Sequence, residues 1–188
     1  MRKGRSIRKT KEVDIHVEVD LDGGEISIDT PSGFFNHMLE SFAFHSGIGL
    51  ILKAEGDTHV DLHHTVEDTG IALGDALKDA IGDGKIKRFG FAIVPMDDAL
   101  VLFSMDISGR SYLSFEPHLE RSVGDFQGDL VEEFFYGLSR SLGATIHIKV
   151  LSGRNLHHII EAIFKAFALS FRMAKEKSEK VESTKGKI

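Results

Sequence analysis

Cysteine is absent from the 188 residues, so the chain can form no disulfide, and any metal it holds must take nitrogen and oxygen donors. Tryptophan is absent too, and tyrosine occurs only twice. No long apolar run is present: the Phe-rich stretch from Ile159 to Phe171 is broken by Glu161 and Lys165, which excludes a membrane span. No apolar stretch follows the basic Met1-Arg2-Lys3, so this start does not read as a secretory signal. Nor is positive charge in excess. With 29 acidic against 23 basic residues the net charge is -6, which argues against broad nucleic-acid binding. What remains, 41% hydrophobic and 28% charged residues, is ordinary for a soluble globular protein, and a cytoplasmic one is expected. The one surplus is histidine: ten residues, and they cluster.

Two near-copies of one motif carry four of them, His63-His64-Thr65-Val66-Glu67 and His157-His158-Ile159-Ile160-Glu161. On a helix a His and a Glu four apart share a face, and the Glu also neighbours the residue three before it. Adjacent histidines diverge by about 100° around the axis, so they can hardly serve one ion together, but each can serve a different one. A single copy would be weak, because histidine often decorates helix starts. Duplication strengthens it: Thr65-Val66 became Ile159-Ile160 while His and Glu stayed. Histidine with carboxylate suits zinc, iron or manganese, and the carboxylates favour the harder ions. His37, 26 residues before His63, and its counterpart Glu133, 24 before His157, can each add a donor. Alone, His37 reads equally well as a polar residue at a helix edge. Asp57, Asp61 and Asp68 surround the first motif and can orient its histidines.

The whole chain repeats. Val13, Ile15, Val17, Val19 and Leu21 alternate as a half-buried strand, and Ala99, Val101, Phe103, Met105 and Ile107 repeat the pattern 86 residues later. Phe35, Met38, Leu39 and Phe42 follow helical spacing, as do Val131, Phe134, Phe135 and Leu138. The strand Ile48–Ala54 is echoed by Ala144–Val150. The second half carries roughly ten extra residues around Glu116 to Asp125. The expected fold is α/β and internally duplicated, with halves at residues 1–87 and 88–175 and a polar tail at 176–188. Each half is a small four-stranded sheet with two helices, and the helices pack between the sheets in one shared core. The joint Asp83–Phe89 is too short to be a flexible linker.

Several further segments occur in a fixed order: Phe34-Phe35-Asn36-His37-Met38-Leu39, Gly56-Asp57-Thr58-His59-Val60-Asp61, Arg88-Phe89-Gly90, Asp106-Ile107-Ser108-Gly109-Arg110 and Phe164-Lys165-Ala166-Phe167. With the two motifs, they resemble the imidazoleglycerol-phosphate dehydratase family from about Arg8 to Gly186. The resemblance implies a duplicated fold like the second domain of ribosomal protein S5. It also implies an assembly of 24 subunits built from trimers, with two Mn²⁺ ions per active site at subunit contacts. The implied metal ligands are His37, His63, His64, Glu67, Glu133, His157, His158 and Glu161. Glu133 stands where several relatives carry His, and a carboxylate can also bind manganese. Glu12, Glu161 and Glu67 are the implied catalytic carboxylates. Glu12, His45, Arg88, Arg110, Lys165, Ser183 and Lys185 are the implied substrate contacts, the cations and Ser183 gripping a phosphate. Without the resemblance Arg110 is a turn residue, Lys165 a solvated break in an apolar helix and the tail a disordered end.

The reaction so implied dehydrates D-erythro-imidazole glycerol phosphate to imidazole acetol phosphate, in histidine biosynthesis. The departing hydrogen does not lie beside a carbonyl, so enolisation cannot help. Metal ions would favour an imidazolate that expels the neighbouring hydroxyl, and a carboxylate would then remove the acidified proton. Two rivals differ in kind. A small-molecule kinase needs a glycine-rich loop opening a helix, but Gly47-Ile48-Gly49 precedes a strand and Gly82-Asp83-Gly84 ends a helix. A metal-stabilised assembly protein would bind the ions without turnover.

Overall fold

The computed structural model describes residues 2–183. The first half runs β1 (Lys3–Lys9), β2 (Val13–Asp20), β3 (Ile26–Asp29), α1 (Gly33–Ser46), β4 (Gly49–Gly56) and α2 (His63–Ile81). The second runs β5 (Phe89–Met96), β6 (Ala99–Ile107), β7 (Tyr112–Phe115), a small hairpin of β8 (Ser122–Val123) and β9 (Phe126–Gln127), α3 (Leu130–Leu142), β10 (Ala144–Ser152) and α4 (Leu156–Ala174). The sheets are ordered β1-β2-β4-β3 and β5-β6-β10-β7. In each, the last pair is parallel and the others antiparallel. The duplicated α/β architecture is thus the one expected, two four-stranded sheets with four helices.

Alternation makes the central strands. In β2, Val13, Ile15, Val17 and Val19 are buried while Asp14, His16, Glu18 and Asp20 face outward. Each such aliphatic side chain contributes about 1.5–3 kcal/mol on burial. The outer faces of the two sheets differ. That of β1 and β2 carries Lys3, Arg5, Glu18 and Asp20, whereas β5 exposes Phe89, Phe91 and Ile93. The inner faces of β1 and β5 share a glycine requirement. A Cβ on Gly4 would stand 2.1 Å from the Ala76 carbonyl oxygen, and one on Gly90 would stand 1.9 Å from that of Ser170. The motif helix of each half therefore rests directly on an edge strand of its own sheet.

Between the sheets, the first helix of each half packs on the motif helix of the other: α1 against α4 and α2 against α3. The two pairs are joined differently. Phe42 stacks on Phe167 with centroids 4.2 Å apart and rings 3° from parallel. The α2–α3 pair instead meets backbone to backbone, a Cβ on Gly70 falling 2.2 Å from the Phe134 oxygen and one on Gly137 falling 2.6 Å from the Glu67 oxygen. The extra residues of the second half form the β8–β9 hairpin. Its buried Phe126 packs on Phe34 and Phe35, and Ser32 donates to Asp125 beside it.

The start of the tail is held in place. Lys175 is buried and its Nζ donates to the Leu21 carbonyl; Lys87 and Ser178 form backbone bonds with Glu176 and Lys85. The polar tail expected from residue 176 thus begins with backbone bonds to the chain between the two halves.

Candidate metal centre

Helix spacing places the first triplet. His157 and Glu161 lie one turn apart on α4, 3.2 Å between Nε2 and Oε2, and His37 of α1 reaches the other carboxylate oxygen at 3.8 Å. The second lies on the other helix pair: His63 and Glu67 of α2, 3.7 Å apart, with Glu133 of α3. Within each triplet one ligand atom from every residue lies within 4.8 Å of the others. Nitrogen and carboxylate donors at these spacings fit a divalent cation, and three donors leave room for more in an octahedral shell.

The helix starts are fixed locally. Asn155 caps α4 by accepting from the His157 N–H at 2.9 Å; α2 has no side-chain cap at its N-cap Leu62, but Asp61 just before it accepts from the His63 N–H at 2.8 Å. The second histidine of each motif turns away from its triplet, as the 100° step requires. His64 sets Nδ1 3.0 Å from Asp57 and 3.9 Å from Glu12; His158 sets Nδ1 2.7 Å from Asp98, with Nε2 3.4 Å from Asp97. The eight residues expected as ligands therefore divide into six that converge and two, His64 and His158, that stand apart.

Charge distinguishes the two places. Burial pushes the Glu161 carboxyl up, but Lys165, 2.8 Å away, together with His37 and His157, carries it below its ordinary value. Burial lowers His45, and the nearby Lys165 charge adds to that. The Asp57 hydrogen bond raises His64 despite some desolvation, with the Glu12 charge adding. A cleft of about 400 Å³ joins His37, Glu40, His45, Glu161 and Lys165. A second, of about 600 Å³, joins Arg8, Glu12, His64, Glu67 and Arg140.

Of the expected substrate contacts, Glu12, His45 and Lys165 thus line these clefts, while Arg88, Arg110 and Ser183 line neither. The Arg88 guanidinium is engaged within the chain, forked onto Asp106 at 2.5 and 3.0 Å and donating to the Glu182 carbonyl at 2.8 Å. Its backbone is left-handed, with φ 70°. Arg110 is exposed, and the Ser183 N–H donates to the Val181 carbonyl. Lys185 lies outside the described residues. The residue that sequence reasoning passed over is Asp98. The signal was present, because Asp98 follows Glu12 by the same 86 residues that separate the two central strands.

A family model described as imidazoleglycerol-phosphate dehydratase matches residues 30–171. Imidazoleglycerol-phosphate dehydratase of Endomicrobium trichonymphae is 52% identical over 190 residues, covering 98% of this chain and 97% of that one. That of Clostridium kluyveri is 50% identical over 194 residues, covering all of both. Among solved structures, IGPD from Pyrococcus furiosus aligns with a TM-score of 0.88 at 47% identity, covering 97% of this chain and 99% of that one. The Staphylococcus aureus imidazoleglycerol-phosphate dehydratase aligns at 0.85 and 40%, covering 94% and 99%.

Proposed function

We propose, since the chain belongs to the imidazoleglycerol-phosphate dehydratase family and is a hydro-lyase, that it dehydrates D-erythro-imidazole glycerol phosphate to imidazole acetol phosphate in histidine biosynthesis, using two divalent cations, manganese in the first instance. The observation that supports the metal dependence is the pair of nitrogen–oxygen triplets at equivalent places in a duplicated fold. His37, His157 and Glu161 would hold one ion and His63, Glu67 and Glu133 the other. Ions held by these residues would supply Lewis acidity to the substrate's imidazole.

The residues of the chain divide the rest of the work. Glu161 is 9% exposed and paired with Lys165, a carboxylate fitted for holding rather than for shuttling protons. Glu67 is likewise drawn into its triplet. Glu12 is 53% exposed at the mouth of its cleft and is the carboxylate free to take the proton from carbon. Lys165 and His45 line the other cleft beside Glu161, where a cation and a neutral imidazole can orient a polar substrate. Arg88, by gripping the Glu182 carbonyl, fixes the chain just ahead of Ser183, which with Arg110 would serve the substrate's phosphate, a role that Lys185, outside the described residues, would share. Binding energy from that distant phosphate would orient the reacting carbons.

Assembly belongs to the same proposal. Each triplet is short of a full octahedral shell, while His64 and His158 point away from their own. Ligation of a neighbour's ion by these two histidines would join copies into the 24-subunit array of trimers. The exposed Phe89, Phe91 and Ile93 offer a further surface for burial between copies. The halves 1–87 and 88–175 then act as one catalytic unit with the tail, in the cytoplasm. Among the described residues no helix is long and apolar enough to cross a membrane. The test is formation of imidazole acetol phosphate alongside elemental analysis: turnover should vanish on chelation and return with Mn²⁺. Full activity in a verified metal-free sample refutes the metal dependence.

A further inference from the structure

We infer that Asp98 is a positioning residue for the candidate centre: its carboxylate fixes a proton on Nδ1 of His158 and anchors the start of α4, so that Nε2 is left as the ligand nitrogen. This rests on the metal reading above and deepens it. Asp98 sits in the two-residue turn Asp97-Asp98 between β5 and β6, where Met96 pairs with Ala99. Asp97 is left-handed at φ 48°, as a tight two-residue hairpin turn requires and as aspartate tolerates.

The turn lies against the start of α4. Asp98 Oδ2 accepts from the backbone N–H of Arg154 at 2.6 Å and of Asn155 at 3.1 Å. Oδ1 is left to the imidazole alone, 2.7 Å from His158 Nδ1. An ionised carboxylate only accepts, so the ring nitrogen facing it must carry the hydrogen. Nε2 has a carboxylate only at the longer 3.4 Å, from Asp97, so the short Asp98 bond fixes the hydrogen on Nδ1 and turns the lone pair of the ring to Nε2.

The repeat supplies an independent comparison. In the first half the same nitrogen, Nδ1 of His64, faces a carboxylate at 3.0 Å, but that carboxylate is Asp57, from the loop after β4. The residue at the repeat position of Asp98 is Glu12, which stays 3.9 Å from the ring and 53% exposed. Two non-equivalent carboxylates thus serve equivalent histidines. The arrangement is kept while its source changes, and the change leaves Glu12 uncommitted where Asp98 is fully engaged.

The experiment is a Mn²⁺ titration of the full chain, following the electron paramagnetic resonance signal of the free ion, with thermal unfolding in chelator as the structural control. Asp98→Asn retains an oxygen for the helix N–H groups, since Asn caps as well as Asp, but removes the charge that selects the ring's proton. It should weaken Mn²⁺ binding by about 10–100-fold while leaving metal-free unfolding nearly unmoved. Asn155→Ala loosens the same helix start without touching His158, and should lower the unfolding temperature with Mn²⁺ affinity kept within a few-fold. Asp57→Asn, which faces His64 and caps no helix, should repeat the affinity loss in the other half and decides the matter if Asp98→Asn does not fold. Unchanged affinity in the folded Asn variants, or an equal loss in Asn155→Ala, overturns the inference alone. A wild-type protein that takes up no Mn²⁺ overturns the proposed function and the inference with it.

Discussion

The two donor triplets occupy equivalent places in the repeat and differ in nearly everything else. On α1 and α4 the set is two imidazoles and one carboxylate, with Lys165 at 2.8 Å from Glu161. On α2 and α3 it is one imidazole and two carboxylates, and the residue at the repeat position of Lys165 is Ile71. The first triplet sits on helices joined by stacked rings, the second on helices that meet through glycines. The difference teaches that duplication preserves where a side chain projects from, a matter of helix phase, and leaves free what is placed there. Two carboxylates that, among the described residues, form no ion pair with a lysine or arginine would make the α2–α3 triplet the stronger attractor of a hard divalent ion. In the other, an ion would have to compete with the Lys165 ammonium for Glu161.

Removing either triplet is the largest blow to this comparison. His157→Ala and His63→Ala should each abolish turnover, losing more than the roughly 10–100-fold typical of a supporting residue, and each should halve the bound metal. If one of them leaves activity intact, the triplets are not partners in one reaction. Next come the helix joints. Phe42→Ala should cost about 3–5 kcal/mol in denaturant unfolding through the cavity it leaves, and Gly70→Ala about 1–3 kcal/mol or more through overpacking. Nearly equal small losses would mean that neither joint depends on the contact assigned to it.

Lys165→Met should tighten Mn²⁺ binding at the α1–α4 triplet a few-fold and raise KM for the substrate, whereas Ile71→Lys should loosen the other triplet. The smallest effect lies in pH. Glu161 is held below its ordinary 4.5, so its contribution to stability is complete above that value and is lost as pH falls through the lower folded one. In metal-free protein, the advantage of wild type over Lys165→Met in unfolding temperature should therefore shrink as the solution is taken down through and below pH 4.5. An advantage that grows on acidification would assign the lowering to something other than Lys165.

Helix phase also explains what could be read from the sequence. The spacing of His157 and Glu161 fixes their shared face whatever the tertiary structure, so the motif halves of both triplets were legible. The partner assignment was not. His37 lies 26 residues before His63 in the chain, yet it joins the motif of the other half, and Glu133 crosses in the opposite direction. Only helix packing decides that. β2 and β6 announced themselves by alternation, while β1 and β5 did not. Their inward positions include Gly4 and Gly90, and β5 is apolar on its outer face as well, so no period-two contrast exists to detect. The β8–β9 hairpin left only an excess of length, since strands of two residues carry no pattern. The engagement of Arg88 with Asp106, 18 residues away, was likewise invisible: a basic residue shows its charge in sequence but not whether the fold has already used it.

The crossing of donors between halves bears on how such a protein could arise. A chain of half this length would carry one first helix and one motif helix that do not meet each other, so a lone copy could assemble no triplet. Two copies related by a twofold axis would assemble two at once, identical in composition, with cation capture dependent on protein concentration. Joining the copies end to end would remove that dependence and, for the first time, let the two donor sets mutate apart.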